Sequence, residues 1–323
     1  MQRLRVLITR RLPDAVERRL GGRYELCRNE HDRPLDRDAL RRALQEFDAL
    51  VPTITDRLDA GLLDAEGKRV RVLANFGAGV EHIDLDAARR VKLRVTNTPG
   101  ALTEATAQLA LLLMLMAARR AGEGERVLRA GDWKGWAPTQ LLGTDLRGET
   151  LGLIGFGRIA RETARLARAV LEVRIAYHSR TRASAADEAA FAAEYHDSLV
   201  GLLAASDVVS IHCPGGSATR HLLNAQTLAH MRPGSILVNT ARGSVIDEVA
   251  LAATLARGAI GGAGLDVYEA EPTVHAALLG LDNVVLLPHL GSATLETRIG
   301  MGMQMADNLD AFFDGQTPLN LVV

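Results

Sequence analysis

The sequence predicts an α/β protein built on two doubly wound parallel sheets. Three observations carry that expectation. Short β-rich runs alternate with helical stretches through the first hundred residues, a second alternating series starts at Thr150, and a glycine turn joins the first strand of that second series to its first helix. A length of 323 residues with 47% hydrophobic content suits two cores better than one.

In the first series, strands are expected at residues 5–9, 24–28, 49–51, 70–74 and 94–96, with helices at 14–20, 36–46, 59–66 and 84–90. Turn residues mark each boundary, and such alternation implies parallel βαβ units. Asn97-Thr98-Pro99-Gly100 then breaks the pattern. A long helix follows from about Thr103, with Thr103 as its cap and Glu104 at its positive end. That helix, across 105–119, is apolar on nearly every side, which fits burial in its own core or against a second subunit. The loop Gly131-Asp132-Trp133-Lys134-Gly135-Trp136-Ala137-Pro138 separates it from the second series, whose strands are expected at 150–154, 173–177, 207–211, 235–239, 262–266 and 284–287. After Pro288 a helix from Leu295 to about Phe313 is placed to return to the first domain. The expected division is therefore 1–98 with 291–323, and 99–290.

A net charge of −1 points to neither a nucleic-acid nor a membrane partner. Arginine far outnumbers lysine, which occurs only at 68, 92 and 134, so pairs such as Arg41-Arg42 read as solvated helix faces. Cys27 and Cys213 form no metal-type spacing, no structural metal is expected, and a reducing cytoplasm is the expected compartment. The start of the sequence runs directly into a strand without a secretory pattern, and the longest apolar run, 109–118, is too short to cross a bilayer.

The glycine turn lies in Thr150-Leu151-Gly152-Leu153-Ile154-Gly155-Phe156-Gly157-Arg158-Ile159-Ala160. Gly155 permits the tight turn, Gly157 lets backbone N–H groups approach a pyrophosphate at a helix N-terminus, and Ala160 keeps that helix close to its strand. The string alone is a weak signal; its strand-before and helix-after context makes it a dinucleotide site involving Gly155, Phe156, Gly157, Arg158 and Ile159. About 20 residues on, a carboxylate would accept a hydrogen bond from the ribose 2′-hydroxyl. Here stands His178-Ser179-Arg180-Thr181-Arg182, with no carboxylate between Val173 and Ala186. Arg180, with the Ser179 and Thr181 hydroxyls, suits a 2′-phosphate, so NADP(H) is expected over NAD(H), which remains possible. The alternative is that Arg180 and Arg182 are ordinary surface arginines.

Three further segments follow in order: Asn239-Thr240-Ala241-Arg242-Gly243, Gly264-Leu265-Asp266-Val267-Tyr268-Glu269-Ala270-Glu271-Pro272, and Leu287-Pro288-His289-Leu290-Gly291-Ser292-Ala293-Thr294. With the glycine turn they resemble the D-isomer-specific 2-hydroxyacid dehydrogenases, in particular the glyoxylate/hydroxypyruvate reductase branch, over essentially the whole chain. The resemblance implies a flavodoxin-like substrate domain and a Rossmann NADP-binding domain. It implies Arg242 as substrate-carboxylate anchor, His289 as general acid/base and Glu271 as the partner orienting His289. It further implies cofactor contacts at Thr106, Pro214, Thr219, Thr240, Ala241, Asp266 and Gly291, with Asp266 on the nicotinamide amide. Asn75-Phe76-Gly77-Ala78-Gly79 matches the loop whose backbone N–H groups bind the carboxylate, at Gly77, Ala78 and Gly79, Ser292 would join them at the substrate, and a homodimer would bring Trp136 to the neighbouring site. Two departures stand out: Ala160 replaces a third glycine, and Gln108 stands where many relatives carry aspartate.

Chemistry argues the same way, because Arg242, Asp266 and His289 each follow the C-terminal end of an expected strand, where open α/β sheets bind ligands. Reducing a keto acid needs a cation for the carboxylate, a proton for the developing alkoxide and a fixed hydride donor. A carboxylate beside His289 should favour its protonated form. His212-Cys213-Pro214 is expected to line the cofactor groove by backbone packing alone, and Glu269 competes with Glu271 until the resemblance selects the glutamate before proline. The substrate expected is a small unphosphorylated 2-keto acid, because Val51-Pro52-Thr53-Ile54-Thr55 carries no cation for a phosphate. Alternatives are oxidation of D-glycerate or a related D-2-hydroxy acid, and a nucleotide-sensing corepressor-like regulator.

Overall fold

Strands β1 (Arg5–Ile8), β2 (Glu25–Arg28), β3 (Ala49–Val51), β4 (Val72–Ala74) and β5 (Arg94–Thr96) pair in parallel in the order β2-β1-β3-β4-β5. They belong to the first of two units into which the chain divides, Met1–Leu102 with Ser292–Val323, the second being Thr103–Gly291. The computed structural model describes residues 3–323. This strand order is the flavodoxin type. The period of two along each strand decides which helices cover it. Val6, Ile8, Ala49, Val51, Val72 and Ala74 face Val16 and Leu20 of α1 (Asp14–Arg23) and Met305, Ala306 and Leu309 of α13 (Leu295–Phe313). Leu7, Leu50, Leu73 and Val95 face α2 (Arg37–Glu46), α3 (Ala60–Leu63) and α4 (Leu85–Arg90).

Aspartates start three of these helices: Asp36, Asp59 and Asp84 accept from the N–H groups of Ala39, Leu62 and Ala87 at 2.8, 3.1 and 2.8 Å. The helix expected at 59–66 is shorter, because the chain turns after Asp64 and takes a left-handed conformation at Gly67. The helix α13 is locked to α1 where Asp310 accepts from the Tyr24 hydroxyl at 2.6 Å and pairs with Arg19 and Arg23. Beyond it, Val322 and Val323 run beside β5, the N–H of Val322 reaching the Val95 carbonyl at 2.7 Å.

The second unit holds β6 (Thr150–Ile154), β7 (Arg174–His178), β8 (Ala193–Tyr195), β9 (Val208–Ile211), β10 (Ile236–Asn239), β11 (Gly262–Leu265) and β12 (Val284–Leu286). All are parallel, in the order β12-β11-β10-β9-β6-β7-β8. Where the sequence suggested six strands there are seven. The missed one, β8, is a three-residue edge strand with only partial burial, and so lacks the apolar run that marks the others. Helices α5 (Thr103–Ala118), α6 (Ala121–Arg129), α7 (Arg158–Leu171), α8 (Ala185–Phe191), α9 (Leu199–Ala205), α10 (Ala225–Leu228), α11 (Glu248–Ala256) and α12 (Ala276–Leu279) accompany them. Thr103 is the first residue of α5 itself rather than its cap. The backbone turns left-handed at Arg120 and restarts as α6, a break that no glycine or proline announces. Ala107, Ala110, Leu113, Met114 and Ala118 of α5 are buried, in contact with α7 and with β10, β11 and β12. Leu112 stays 46% exposed. No helix among the described residues is long and apolar enough to cross a membrane, and no group of metal-type ligands occurs among them.

Candidate active site

The chain leaves β11 at Asp266, whose side chain is buried and accepts from two successive backbone groups, Leu290 N–H at 2.6 Å and Gly291 N–H at 2.8 Å. The Asp266 carbonyl accepts a third, from His289 N–H at 2.9 Å. These bonds hold His289 in a left-handed conformation, φ 55°, that a non-glycine residue keeps only when its surroundings impose it. Burial pushes the Asp266 carboxyl up, against the lowering pull of those N–H groups and of the His289 charge.

His289 Nδ1 lies 2.8 Å from Glu271 Oε2, and Glu271 Oε1 accepts Tyr268 N–H at 2.9 Å. Burial raises Glu271, but the His289 hydrogen bond and charge, the Tyr268 N–H and the Arg242 charge outweigh it, so Glu271 sits below the ordinary carboxylate range. An ionised Glu271 makes Nδ1 the donor, which leaves Nε2 as the face of the ring able to hold or deliver a proton. Glu269 turns elsewhere, to Arg220 at 2.5 Å and His221 at 2.8 Å.

Arg242 follows β10 and is half-buried, its Nη1 donating to the Ala241 carbonyl at 2.7 Å. Asn239 closes the turn, its Nδ2 donating to the Arg242 carbonyl at 2.9 Å while its Oδ1 accepts Ala241 N–H at 3.0 Å. Gly243 has no room for a side chain: a Cβ there would lie 1.8 Å from the Tyr268 carbonyl carbon. That approach seats the Arg242 turn on the segment leading to Glu271.

At the other strand ends, Gly155 adopts φ 89° and packs against the His212-Cys213 backbone, where a Cβ would come within 3.0 Å of Cys213 N. Gly157 heads α7 and a Cβ there would meet nothing of the chain. Phe156 stacks on Tyr177 at 4.2 Å, Ala160 is buried beneath it, and Arg158 and Ile159 lie on the first turn of α7. Beyond β7, Arg182 is paired with Glu188 and lies over the Tyr195 ring, whereas Arg180 is exposed and has no side-chain partner among the described residues. The Ser179 hydroxyl donates to the Thr181 carbonyl at 2.6 Å. Thr219 Oγ1 donates to the Pro214 carbonyl at 2.7 Å, and Thr106 Oγ1 to that of Gly291 at 3.0 Å. Thr240 Oγ1 is buried with no hydrogen-bond partner among the described residues. His212 is held neutral by burial, down to about 3, with its Nε2 2.9 Å from Ser210 Oγ.

In the first unit, Gly77, Ala78 and Gly79 form a loop after β4, and Ser292 precedes α13. Thr98 N–H donates to the Gly77 carbonyl at 3.0 Å and Asn97 Nδ2 to that of Ala78 at 2.7 Å. In the second unit Trp136 is 81% exposed on the loop after α6.

Comparison with known proteins decides the family. The model described as "D-isomer specific 2-hydroxyacid dehydrogenase, NAD binding domain" matches residues 111–291. The chain belongs to the D-isomer specific 2-hydroxyacid dehydrogenases. A glyoxylate reductase from Thermococcus litoralis is 42% identical over 322 residues, spanning 98% of this chain and 96% of that one. A D-isomer specific 2-hydroxyacid dehydrogenase structure from Polaromonas superimposes with a TM-score of 0.92 at 37% identity, covering 99% of each chain. An NADPH-dependent glyoxylate/hydroxypyruvate reductase from Sinorhizobium meliloti, solved with NADP and malonate, gives 0.86 at 36%, covering 100% of this chain and 97% of that one.

As a member of this family, the dehydrogenase is an NAD(P)-dependent enzyme acting on a small molecule. Three of its residues carry parts of the site that sequence reasoning passed over. The Tyr268 hydroxyl donates to the Leu287 carbonyl at 2.8 Å, tying β11 to the approach to His289. Glu248 Oε1 accepts Glu269 N–H at 2.7 Å from the start of α11. The third, Asn75, sits beneath the Gly77–Gly79 loop. The first two depend on neighbours distant in sequence, which no local pattern marks, while Asn75 bonds within its own loop, to the Gly77 and Gly79 carbonyls, through a side-chain orientation that a residue string does not state.

Proposed function

We propose that this enzyme reduces small unphosphorylated 2-keto acids, glyoxylate and hydroxypyruvate foremost, with NADP(H) as its preferred cofactor. The carrying observation is the His289–Glu271 pair at 2.8 Å, on a segment pinned by Asp266. The same residues would serve oxidation of the D-2-hydroxy acid, as microscopic reversibility requires.

The residues present suit a dinucleotide: a Cβ at Gly157 would intrude on the space beside the α7 N-terminus, and Thr240 Oγ1 is a buried polar atom awaiting a partner. Gly155, Phe156, Gly157, Arg158 and Ile159 would hold it, with Pro214, Thr219, Ala241 and Gly291 along its length and Arg180 at the 2′-phosphate. When bound it supplies the hydride. Arg242 is assigned as the substrate-carboxylate anchor with two donors, and the N–H groups of Ala78 and Gly79 are assigned as carboxylate donors of the first unit. His289 gives its proton from Nε2 to the carbonyl oxygen as negative charge develops there. Glu271 keeps Nδ1 protonated and the ring oriented.

The sign of the pH response follows from Glu271, whose carboxyl is held below the ordinary carboxylate range and so is lost as an ionised partner only when pH falls through that lowered value. Wild-type kcat/KM for keto-acid reduction is expected to hold through pH values at which an ordinary glutamate is already half protonated and to fall below them, whereas Glu271→Gln, which has no carboxylate to protonate, is expected to be slower throughout and to lack that acid fall. Initial rates on the acid side check this. An acid limb that survives in Glu271→Gln would assign it to another group.

A substrate panel tests the reading itself. Thr53, Ile54 and Thr55 present no cation, and the carboxylate beside them, Asp56, is buried and accepts Thr53 N–H at 2.8 Å. A phosphate placed there would be uncompensated. NADPH oxidation is expected to be fast with glyoxylate and hydroxypyruvate, slower with pyruvate, and nearly absent with phosphohydroxypyruvate. Rapid turnover of the phosphorylated acid would overturn the pocket assignment, and silence with every 2-keto acid would favour a nucleotide-sensing role.

The enzyme is also proposed to work as a homodimer, because Leu112, Leu128, Trp133, Trp136 and Leu142 stand exposed within one stretch of the second unit, at 46, 61, 51, 81 and 65%. Trp136 is assigned to the substrate bound by the neighbouring subunit. Sedimentation at working concentration is expected to give twice the 34.7 kDa chain mass. A monomer would dispose of both assignments.

A further inference from the structure

The Gly77–Gly79 loop has one face committed to the protein and one face uncommitted. All three of its carbonyls are engaged inward: Gly77 by Thr98 N–H, Ala78 by Asn97 Nδ2, and Gly77 and Gly79 together by one amide, Asn75 Nδ2, at 3.0 and 2.9 Å. Among the described residues, no protein acceptor receives the N–H groups of Ala78 or Gly79. A peptide plane whose carbonyl is fixed has its N–H directions fixed as well, so the bonds behind the loop aim the donors in front of it.

Asn75 is fully buried, and both ends of its amide are used. Its Oδ1 lies 3.0 Å from His82 Nε2, and two carbonyls require the NH2 group on the other side, which fixes the amide orientation. Its backbone is spent too, N–H to the Thr96 carbonyl at 3.0 Å and carbonyl from Gly77 N–H at 3.1 Å. We infer that Asn75 is a positioning residue of the substrate site: its bond to the Gly77 carbonyl sets the direction of the Ala78 N–H in the same peptide plane, its bond to the Gly79 carbonyl holds the far end of the loop whose Ala78–Gly79 plane Asn97 fixes, and so it tunes affinity for the substrate carboxylate without touching it. The inference rests on the reading that this loop binds the carboxylate.

Asn75→Asp keeps the shape but offers acceptors to two carbonyls, and Asn75→Ala deletes the bonds. In both, KM for glyoxylate and the inhibition constant of oxamate, a carboxylate analogue that is not reduced, are expected to rise together by about tenfold or more, with kcat within about threefold of wild type and NADPH affinity unchanged. The aspartate variant has a signature of its own. Its KM is expected to fall again as pH is lowered, because a protonated carboxyl regains one donor. If both variants lose the fold, His82→Ala, which unlocks the amide from the half-buried side, should raise the same two constants by about threefold. Folded variants whose kcat falls at constant KM, or whose constants do not move, would overturn the role of Asn75. Arg242→Gln separates the two levels: if it raises KM for glyoxylate while the Asn75 variants do not, only this inference fails, and if the wild type reduces no keto acid, the functional reading and this inference fall together.

Discussion

His289→Gln is expected to lower kcat for glyoxylate reduction by about 10²- to 10⁴-fold, the usual contribution of a positioned general acid. Glutamine can still offer an N–H toward Glu271 and occupies similar space, so the Asp266 clamp on Leu290 and Gly291 survives. What disappears is a group that can carry a proton and release it from a defined position. NADPH affinity, read by fluorescence quenching, should stay within about twofold, because the substitution leaves the glycine turn and the Arg180 segment untouched. A loss smaller than about tenfold would mean that another residue or water delivers the proton.

The second large effect concerns cofactor choice. Arg182 is occupied by Glu188 through two hydrogen bonds at 2.8 and 2.9 Å, and Glu188 also accepts the Tyr177 hydroxyl at 2.5 Å, which leaves Arg180 as the cation available beyond β7. A charge-assisted hydrogen bond contributes about 1.5–3 kcal/mol, a factor of roughly ten to a hundred or more in binding. Wild type is expected to prefer NADPH over NADH in kcat/KM by at least about tenfold, and Arg180→Asp to reverse that order, since the carboxylate repels the 2′-phosphate and accepts from the ribose hydroxyl. Arg182→Ala should do less, because its partner is Glu188. Equal use of both cofactors by the wild type, or an unchanged ratio in Arg180→Asp, would remove the assignment.

Much of this architecture was legible because parallel strands buried on both faces read as short apolar runs, as Val72–Ala74 and Ile236–Asn239 do. Ala193–Tyr195 escaped because an edge strand has less to bury, and the break at Arg120 because arginine gives no warning of a positive φ. The two glutamates before Pro272 show the limit at the site. Sequence separated them only through resemblance, whereas the fold aims Glu271 at His289 and Glu269 at Arg220 and His221. Glu248 and Tyr268 carried no signal, since a hydrogen bond to a loop far along the chain has no spacing to recognise, whereas Asn75 heads the very loop it holds and only the orientation of its amide, not its position, was hidden.

The division of the first unit between two stretches of chain has a consequence for synthesis on the ribosome. The second unit is continuous from Thr103 to Gly291, so its sheet can close as soon as that stretch has emerged. The first unit emerges earlier yet must wait longest. Met305, Ala306 and Leu309 cover Val6, Ile8, Val16 and Val72, and Val322 and Val323 lie along β5. Until those residues are made, one face of the five-stranded sheet stays open to water. A nascent chain arrested after Gly291 should accordingly hold a protease-resistant second unit while its earlier half remains a chaperone client, and release of the last thirty or so residues should be the event that ends that dependence.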